Sequence, residues 1–389
     1  MFVFAFGACV GSFLNVIIYR LPRGQSIVFP ASHCPSCGRA IRWYDNVPIV
    51  SWIVLRGECR DCGVSISARY ILIEAATALM VSGLYVWYFV LQMREGMESP
   101  SAEWVTFVAH AALWCGLLAC AATDIEHWII PLEVCWFLSL MGAAAATISP
   151  PGAAVLPRVP PVIGAMAIAA GIGLIISAML QRFGLLQPSF IDATETVTRD
   201  ETSAPGKGAK IVAVAASREH GVNPRKEILR ETAYLAPAVI LAAGVWTAMR
   251  FIPGTDQFVR QASDYDYTGR FALHLAGFEA AIVGYLAGGL LVWGTRILGT
   301  LGFGKEAMGM GDVHLLAAVG AVTGWIVPVL AFFLAPVLGL LWAVKLLIFG
   351  KQRELPFGPW LALSAVLIMV FYDGIVEVLK LLATPGGAY

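Results

Sequence analysis

From Val313 to Val344 the chain carries no Asp, Glu, Lys or Arg. One membrane crossing takes about 20 apolar residues, so a run of this length makes two crossings, divided near Gly324 and Pro328. The rest of the chain has the same character. Charged residues make up 13% of the 389 and hydrophobic ones 58%, with a mean hydropathy of +0.75. Soluble domains are nearer a quarter charged, so this is read as an integral membrane protein. Lys plus Arg and Asp plus Glu are 26 each, and a net charge of zero argues against nucleic acid as a partner.

Taken in order, the chain divides by composition. Met1–Tyr19 is expected to be an uncleaved first span, since no basic stretch precedes it. Residues 20–69 turn polar and hold Arg20, Arg23, Arg39, Arg42, Arg56, Arg60 and Arg69, which by the positive-inside rule lie in the cytoplasm. Residues 70–148 supply spans two to four (70–91, 104–122 and 129–147). Residues 149–270 contain a proline-rich external linker, span five (162–180), a polar cytoplasmic loop (181–231) of disorder-prone composition, span six (234–252) and an external loop (253–270). Residues 271–389 begin with span seven (271–298), continue through the charge-free run, and end in a last span opened by Leu355-Pro356-Phe357-Gly358-Pro359 and reaching about Leu382. The expectation is an all-α polytopic membrane protein of about 8–10 transmembrane helices. Ten is the direct count, and eight or six are alternatives.

Four of the eight cysteines sit in apolar segments, and the other four form Cys34-Pro35-Ser36-Cys37 and Cys59-Arg60-Asp61-Cys62. Two Cys-x-x-Cys knuckles at this separation suit a four-thiolate metal site, in which each knuckle offers two sulfurs to one tetrahedral ion. Metal binding then supplies folding energy to a loop too short to build a core. Two disulfides are the other reading, and a reducing cytoplasm disfavours them. With all four positions filled by protein, Cys34, Cys37, Cys59 and Cys62 are expected to hold a structural zinc.

Catalytic candidates come from acids at the mouths of spans. Parity puts Asp124, after span three, and Asp312, in Gly309-Met310-Gly311-Asp312, on the same face. An ionised side chain there is costly unless something uses it, and the glycines at 309 and 311 open a close approach. Two carboxylates that converge share one proton, so one activates water while the other polarises a carbonyl. Glu126 and Glu133 are rival second acids. A metal or proton relay of Asp124, His127, Asp312 and His314 is a further alternative, while Asp373, Glu377 and Glu279 are expected to serve the fold.

Together these residues resemble the prepilin peptidase family, the type IV leader peptidases among the Gly-x-Gly-Asp membrane aspartyl proteases. The resemblance runs through Gly11-Ser12-Phe13-Leu14-Asn15-Val16, Tyr19-Arg20-Leu21-Pro22, both knuckles, Asn46-Val47-Pro48 with Ser51-Trp52, and Leu55-Arg56-Gly57. It continues through Ile66-Ser67-Ala68-Arg69-Tyr70 with Glu74, Asp124 with Ile130-Pro131, the Gly-x-Gly-Asp stretch, and the late Pro356-Phe357-Gly358-Pro359 motif, expected to border the substrate's approach. It implies cleavage of the basic leader of prepilins or pseudopilins at the cytoplasmic edge of their apolar segment, in a bacterial inner membrane. It also implies methylation of the new N-terminus with S-adenosylmethionine. The family usually has two crossings between its catalytic acids, whereas this chain has four on the count above, so residues 149–270 stand out as an insertion. A transporter or channel component, or an inactive scaffold of a pilus or secretion machine, are the alternatives. The sequence leaves the oligomeric state open.

Overall fold

The computed structural model describes all residues except 151, 153–154, 190–223, 263–269, 305, 350–355 and 384–389. Most of the loop 181–231, the stretch 264–267, and Lys351, Arg353 and Leu355 lie outside the described residues. Seven described helices are long and apolar enough to cross a membrane: α1 (Phe2–Arg20), α3 (Arg69–Tyr85), α4 (Pro100–His127), α6 (Pro161–Arg182), α7 (Pro224–Phe251), α9 (Arg270–Phe303) and α11 (Ile326–Phe349). An eighth crossing is possible through α12 (Gly358–Val370) and α13 (Tyr372–Ala383), which bend against each other by 76°. Two shorter apolar helices, α5 (Leu132–Ile148) and α10 (Met310–Thr323), complete the set of ten segments read from the sequence. Short α2 (Val50–Val54) belongs to the polar loop, and α8 (Thr255–Ala262) follows α7.

Several helix ends differ from the sequence reading. The third span does not stop at Ala122 but continues as helix to His127, because nothing breaks it before Trp128. Trp128 takes a left-handed conformation (φ 59°) and donates its N–H to the Asp124 carbonyl at 2.9 Å. Asp124 is thus in the last helical turn, not in a connecting loop. Span seven likewise runs on to Phe303, and the last span is broken at Phe371 rather than continuous.

At the centre lies α10. Its residues from Asp312 to Thr323 are buried, except His314. A helix that is apolar on every side belongs inside a bundle, and α4, α5, α9, α11 and α12 contribute the core around it. Its 14 residues span only about 21 Å, short of a roughly 30 Å hydrocarbon core. Backbone contact with α9 holds it. A Cβ on Gly284 would fall 2.0 Å from the Gly320 carbonyl oxygen, and one on Gly320 would fall 1.9 Å from that of Gly284. Small residues that admit such approach are the usual means of packing helices in lipid, where the hydrophobic effect gives no drive.

A second cluster joins α1 and α3 through Leu14, Ile18, Ile73, Val81 and Leu84, with Ala111 and Cys115 of α4. Ile17 and Trp114 pack against both clusters, so α4 connects the two halves. Arg69 at the start of α3 pairs with Glu126 near the end of α4, which brings the cysteine loop and Asp124 to one end of the bundle. The start of α13 is pinned elsewhere by Arg94, whose Nη1 lies 2.6 Å from Asp373 Oδ1 and whose guanidinium stacks 3.9 Å from the Tyr372 ring centre. The structural role expected for Asp373 fits this pair. Large apolar side chains such as Leu79, Phe137, Ile175, Ile240 and Phe333 face outward, as lipid contact requires.

Candidate active site and metal centre

Asp124 and Asp312 come from helices far apart in sequence and flank one corner of the bundle, around Ile130. Both are buried, and Asp312 lies within electrostatic reach of Asp124 and of Arg296. Ile130, just beyond the end of α4, fills the space beside them. A Cβ on Gly311 would sit 2.7 Å from Ile130 Cβ, and one on Gly358 would sit 3.1 Å from Ile130 Cδ1 and 2.7 Å from Asp124 Oδ2. Glycine at 311 and 358 is therefore what lets α10 and α12 close on this corner. The backbone N–H of Gly358, at the start of α12, donates to Asp124 Oδ2 at 3.0 Å. A helix N-terminus favours a carboxylate through its free N–H groups and its dipole. The late motif therefore contacts the first aspartate directly, a role its sequence gave no means to assign. Asp312 Oδ1 is buried and has no hydrogen-bond partner among the described residues. Gly309 shows no steric need to be glycine, since its φ is −71° and the nearest atom to an added Cβ is Asp312 Oδ2 at 3.6 Å.

The rival groups are drawn elsewhere. Glu126 pairs with Arg69, and Glu133 is exposed on the first turn of α5. His314 packs its ring against Trp136, with centroids 6.1 Å apart. Among the described residues, the one cluster of three or more His, Cys, Asp or Glu close enough to share a metal ion is Cys34, Cys37, Cys59 and Cys62. The Asp-His relay is thus not assembled as a metal site.

The cysteine cluster is built from two matching turns. In the first, Cys34 N–H donates to the Arg39 carbonyl at 2.9 Å and Gly38 N–H returns to the Cys34 carbonyl at 2.9 Å. The second repeats this with Cys59 to Val64 and Gly63 to Cys59, both at 2.8 Å. Short bridges His33–Ala40 and Glu58–Ser65 close each turn. All four sulfurs lie within 4.8 Å of one another, and Cys34 Sγ to Cys62 Sγ is 3.8 Å. A tetrahedral ion with sulfur at about 2.3 Å needs sulfurs roughly 3.8 Å apart, so the set fits a structural metal. Backbone N–H groups of Cys37 and then Ser36 favour the thiolate at Cys34.

The loop is docked by residues that the sequence flagged without a role. Glu74 Oε2 accepts the Ile49 N–H at 2.6 Å, and Ile49 is held at φ 64°, a conformation that β-branched residues rarely adopt. Arg20 reaches the carbonyls of Ser26 (3.0 Å) and Pro30 (2.7 Å). Asn15 Nδ2 donates to the Tyr70 carbonyl at 3.1 Å, while its buried Oδ1 has no partner among the described residues. Between the loop and α1 and α3 lies a cavity of about 790 Å³, bordered by Asn15, Arg20, Trp52, Tyr70 and Glu74.

Known proteins share this arrangement of sequence. The model of the bacterial peptidase A24 N-terminal domain matches residues 5–89, and that of the type IV leader peptidase family matches residues 234–344. A prepilin leader peptidase/N-methyltransferase of Klebsiella pneumoniae is 34% identical over 177 residues, which cover 43% of this chain and 68% of the relative. The chain belongs to the type IV leader peptidase family. Relatives of the same name align in Stutzerimonas stutzeri (26% over 395 residues, 95% of this chain and 89% of the relative) and Myxococcus xanthus (43% over 147 residues, 38% of this chain). The Myxococcus alignment spans only 40% of that relative's length. Asp312 falls inside the family match and Asp124 between the two matched ranges. No solved structure matches the chain.

Proposed function

We propose that this chain is an aspartic endopeptidase that removes the leader of prepilin-like substrates, with Asp124 and Asp312 as its catalytic pair. The observation that carries this reading is that two buried aspartates from distant helices flank one corner of the bundle, around Ile130. In the reaction, one carboxylate takes a proton from water as the water oxygen adds to the scissile carbonyl carbon. The other, protonated, donates to the carbonyl oxygen. The tetrahedral intermediate then collapses. The C–N bond breaks, the first aspartate passes its proton to the departing amine, and the second recovers its own from the hydroxyl that becomes carbonyl again. Both carboxyls return to their starting states, and no covalent enzyme intermediate forms. An apolar substrate segment lying along the bundle would present its cytoplasmic edge at the depth of the pair. The arginines of residues 20–69 support a cytoplasmic placement of that end, in a bacterial inner membrane.

Zinc is the ion that the four-thiolate set suits best, in a structural role with no open position. The relatives' names also include an N-methyltransferase, which calls for a methyl donor. S-adenosylmethionine would supply a methyl group electrophilic enough for an amine to attack. The cavity beside the loop is of the size that holds small cofactors, and Asn15, Trp52, Tyr70 and Glu74 on its border would hold it.

Cleavage of a synthetic prepilin in detergent or lipid by wild type, Asp124→Asn and Asp312→Asn tests the pair. Asparagine keeps the shape and cannot carry the shared proton, so each variant should lose cleavage while remaining folded. Normal cutting by either variant would sink the assignment.

A further inference from the structure

Behind the Gly-x-Gly-Asp stretch is a buried charge network in which Arg296 of α9 is the hub. Its Nε donates to Glu231 Oε1 at 2.8 Å, and its Nη1 donates to Glu306 Oε1 and to the Met308 carbonyl, both at 2.6 Å. Glu231, on α7, also accepts from Trp293 Nε1 and from Ser189 Oγ, both at 3.2 Å. The Arg296 and Glu231 side chains are 3% and 1% exposed, so this pair is cut off from water. The segment it grips leads into α10, whose first turn holds Asp312, and Met308 directly precedes Gly309. A second contact lays the segment flat on α9, where a Cβ on Gly299 would meet Ala307 Cβ at 2.5 Å.

Stability alone is a weak reason for such a pair, because well-packed apolar residues often hold a core as well as a buried ion pair does. An arginine offers something else, a planar fork whose donors point in fixed directions. Glu231 fixes the Nε edge of that fork, and the other end then holds Glu306 and Met308 at set positions. With Glu231 lost, the Nε edge of the guanidinium is no longer fixed from α7, and the segment loses that reference. We propose that Glu231, acting through Arg296, is a positioning residue that sets where Asp312 stands against Asp124. α7 is thereby tied to the active site. The inference rests on the aspartic-pair reading above.

The test compares Glu231→Gln, Glu306→Gln and the double variant with wild type on a synthetic prepilin, with Asp124→Asn as reference. Hydrogen exchange of the backbone amides from Glu306 to Gly311 is followed in parallel. Each single variant should lower kcat on the order of ten- to a hundredfold, as a misplaced catalytic group does, with KM within about twofold. The double variant should lose little more than the worse single one, since both act through Arg296. Exchange at the loop amides should quicken in all three. Glu306 is 32% exposed, so Glu306→Gln should fold even if Glu231→Gln does not. Unchanged kcat alongside a lowered thermal midpoint would reduce the network to structure and overturn the proposal, as would unchanged loop exchange. Normal cleavage by Asp124→Asn would instead overturn the aspartic-pair reading, and the exchange data would still report on the loop.

Discussion

Gly309, Gly311 and Gly358 look alike in sequence, all small residues in motifs, and their surroundings set them apart. An alanine at 358 brings Cβ to 2.7 Å from Asp124 Oδ2, so the carboxylate must turn and give up the Gly358 N–H. An alanine at 311 meets Ile130 Cβ at 2.7 Å, a branch point that cannot swing away. Alanine at 309 meets nothing closer than 3.6 Å. Gly358→Ala and Gly311→Ala are therefore expected to cut cleavage by at least about tenfold, while Gly309→Ala stays within about threefold of wild type. Initial rates on one prepilin decide it, and equal losses at all three positions would refute this account. The four-cysteine cluster was legible in the sequence because tetrahedral thiolate ligation requires that knuckle spacing, and the aspartates stood out as acids at the mouths of apolar spans. The Gly358–Asp124 bond was not, because a backbone donor leaves no trace in composition, and neither was Arg296, which joins α7 to the stretch before α10.

Among the elements, the cysteine loop depends most on something outside its own packing. Its ion pairs, Arg39–Asp61 at 3.1 Å and Arg60–Asp45 at 2.6 Å, involve arginines 67% and 42% exposed. Such surface pairs contribute roughly 1 kcal/mol or less each. Structural zinc in small peptides supplies on the order of 10 kcal/mol, so the metal dominates. Stripping it with a chelator, or substituting Cys37→Ala, should expose Arg39, Arg56 and Arg60 to trypsin while the membrane helices keep their thermal transition. Metal analysis of the intact protein should find one zinc per chain. Unchanged protease resistance after complete metal removal would refute the structural role. The knuckle spacing announced this element from sequence alone, whereas its docking on Glu74 and Arg20 depends on contacts across the fold that no local pattern records.

At the scale of the molecule, the charge-free runs were enough to read a polytopic helical bundle, and they hid how unequal its helices are. Hydropathy counts α10 as one more crossing, yet it is short, buried on nearly every side and carries Asp312 at its start. Its depth relative to α4 decides whether the two aspartates meet, and that depth is set by backbone contact with α9. Valine at Gly284 would drive its Cβ to 2.0 Å from the Gly320 carbonyl oxygen, and valine at Gly288 to 2.2 Å from that of Leu316. Backbone lies on both sides, so no flexible side chain can yield and the helices must separate. Overpacking of this kind costs roughly 1–3 kcal/mol. Gly294, on the same helix, has nothing within 4 Å of an added Cβ and serves as the control. Gly284→Val and Gly288→Val should lower the thermal midpoint in detergent and lose most cleavage, while Gly294→Val changes neither. A Gly284→Val protein that melts early but cuts normally would show that α10 finds its depth without α9. The contacts around Ile130 and the Arg296 grip on Met308 would then have to hold Asp312 in place.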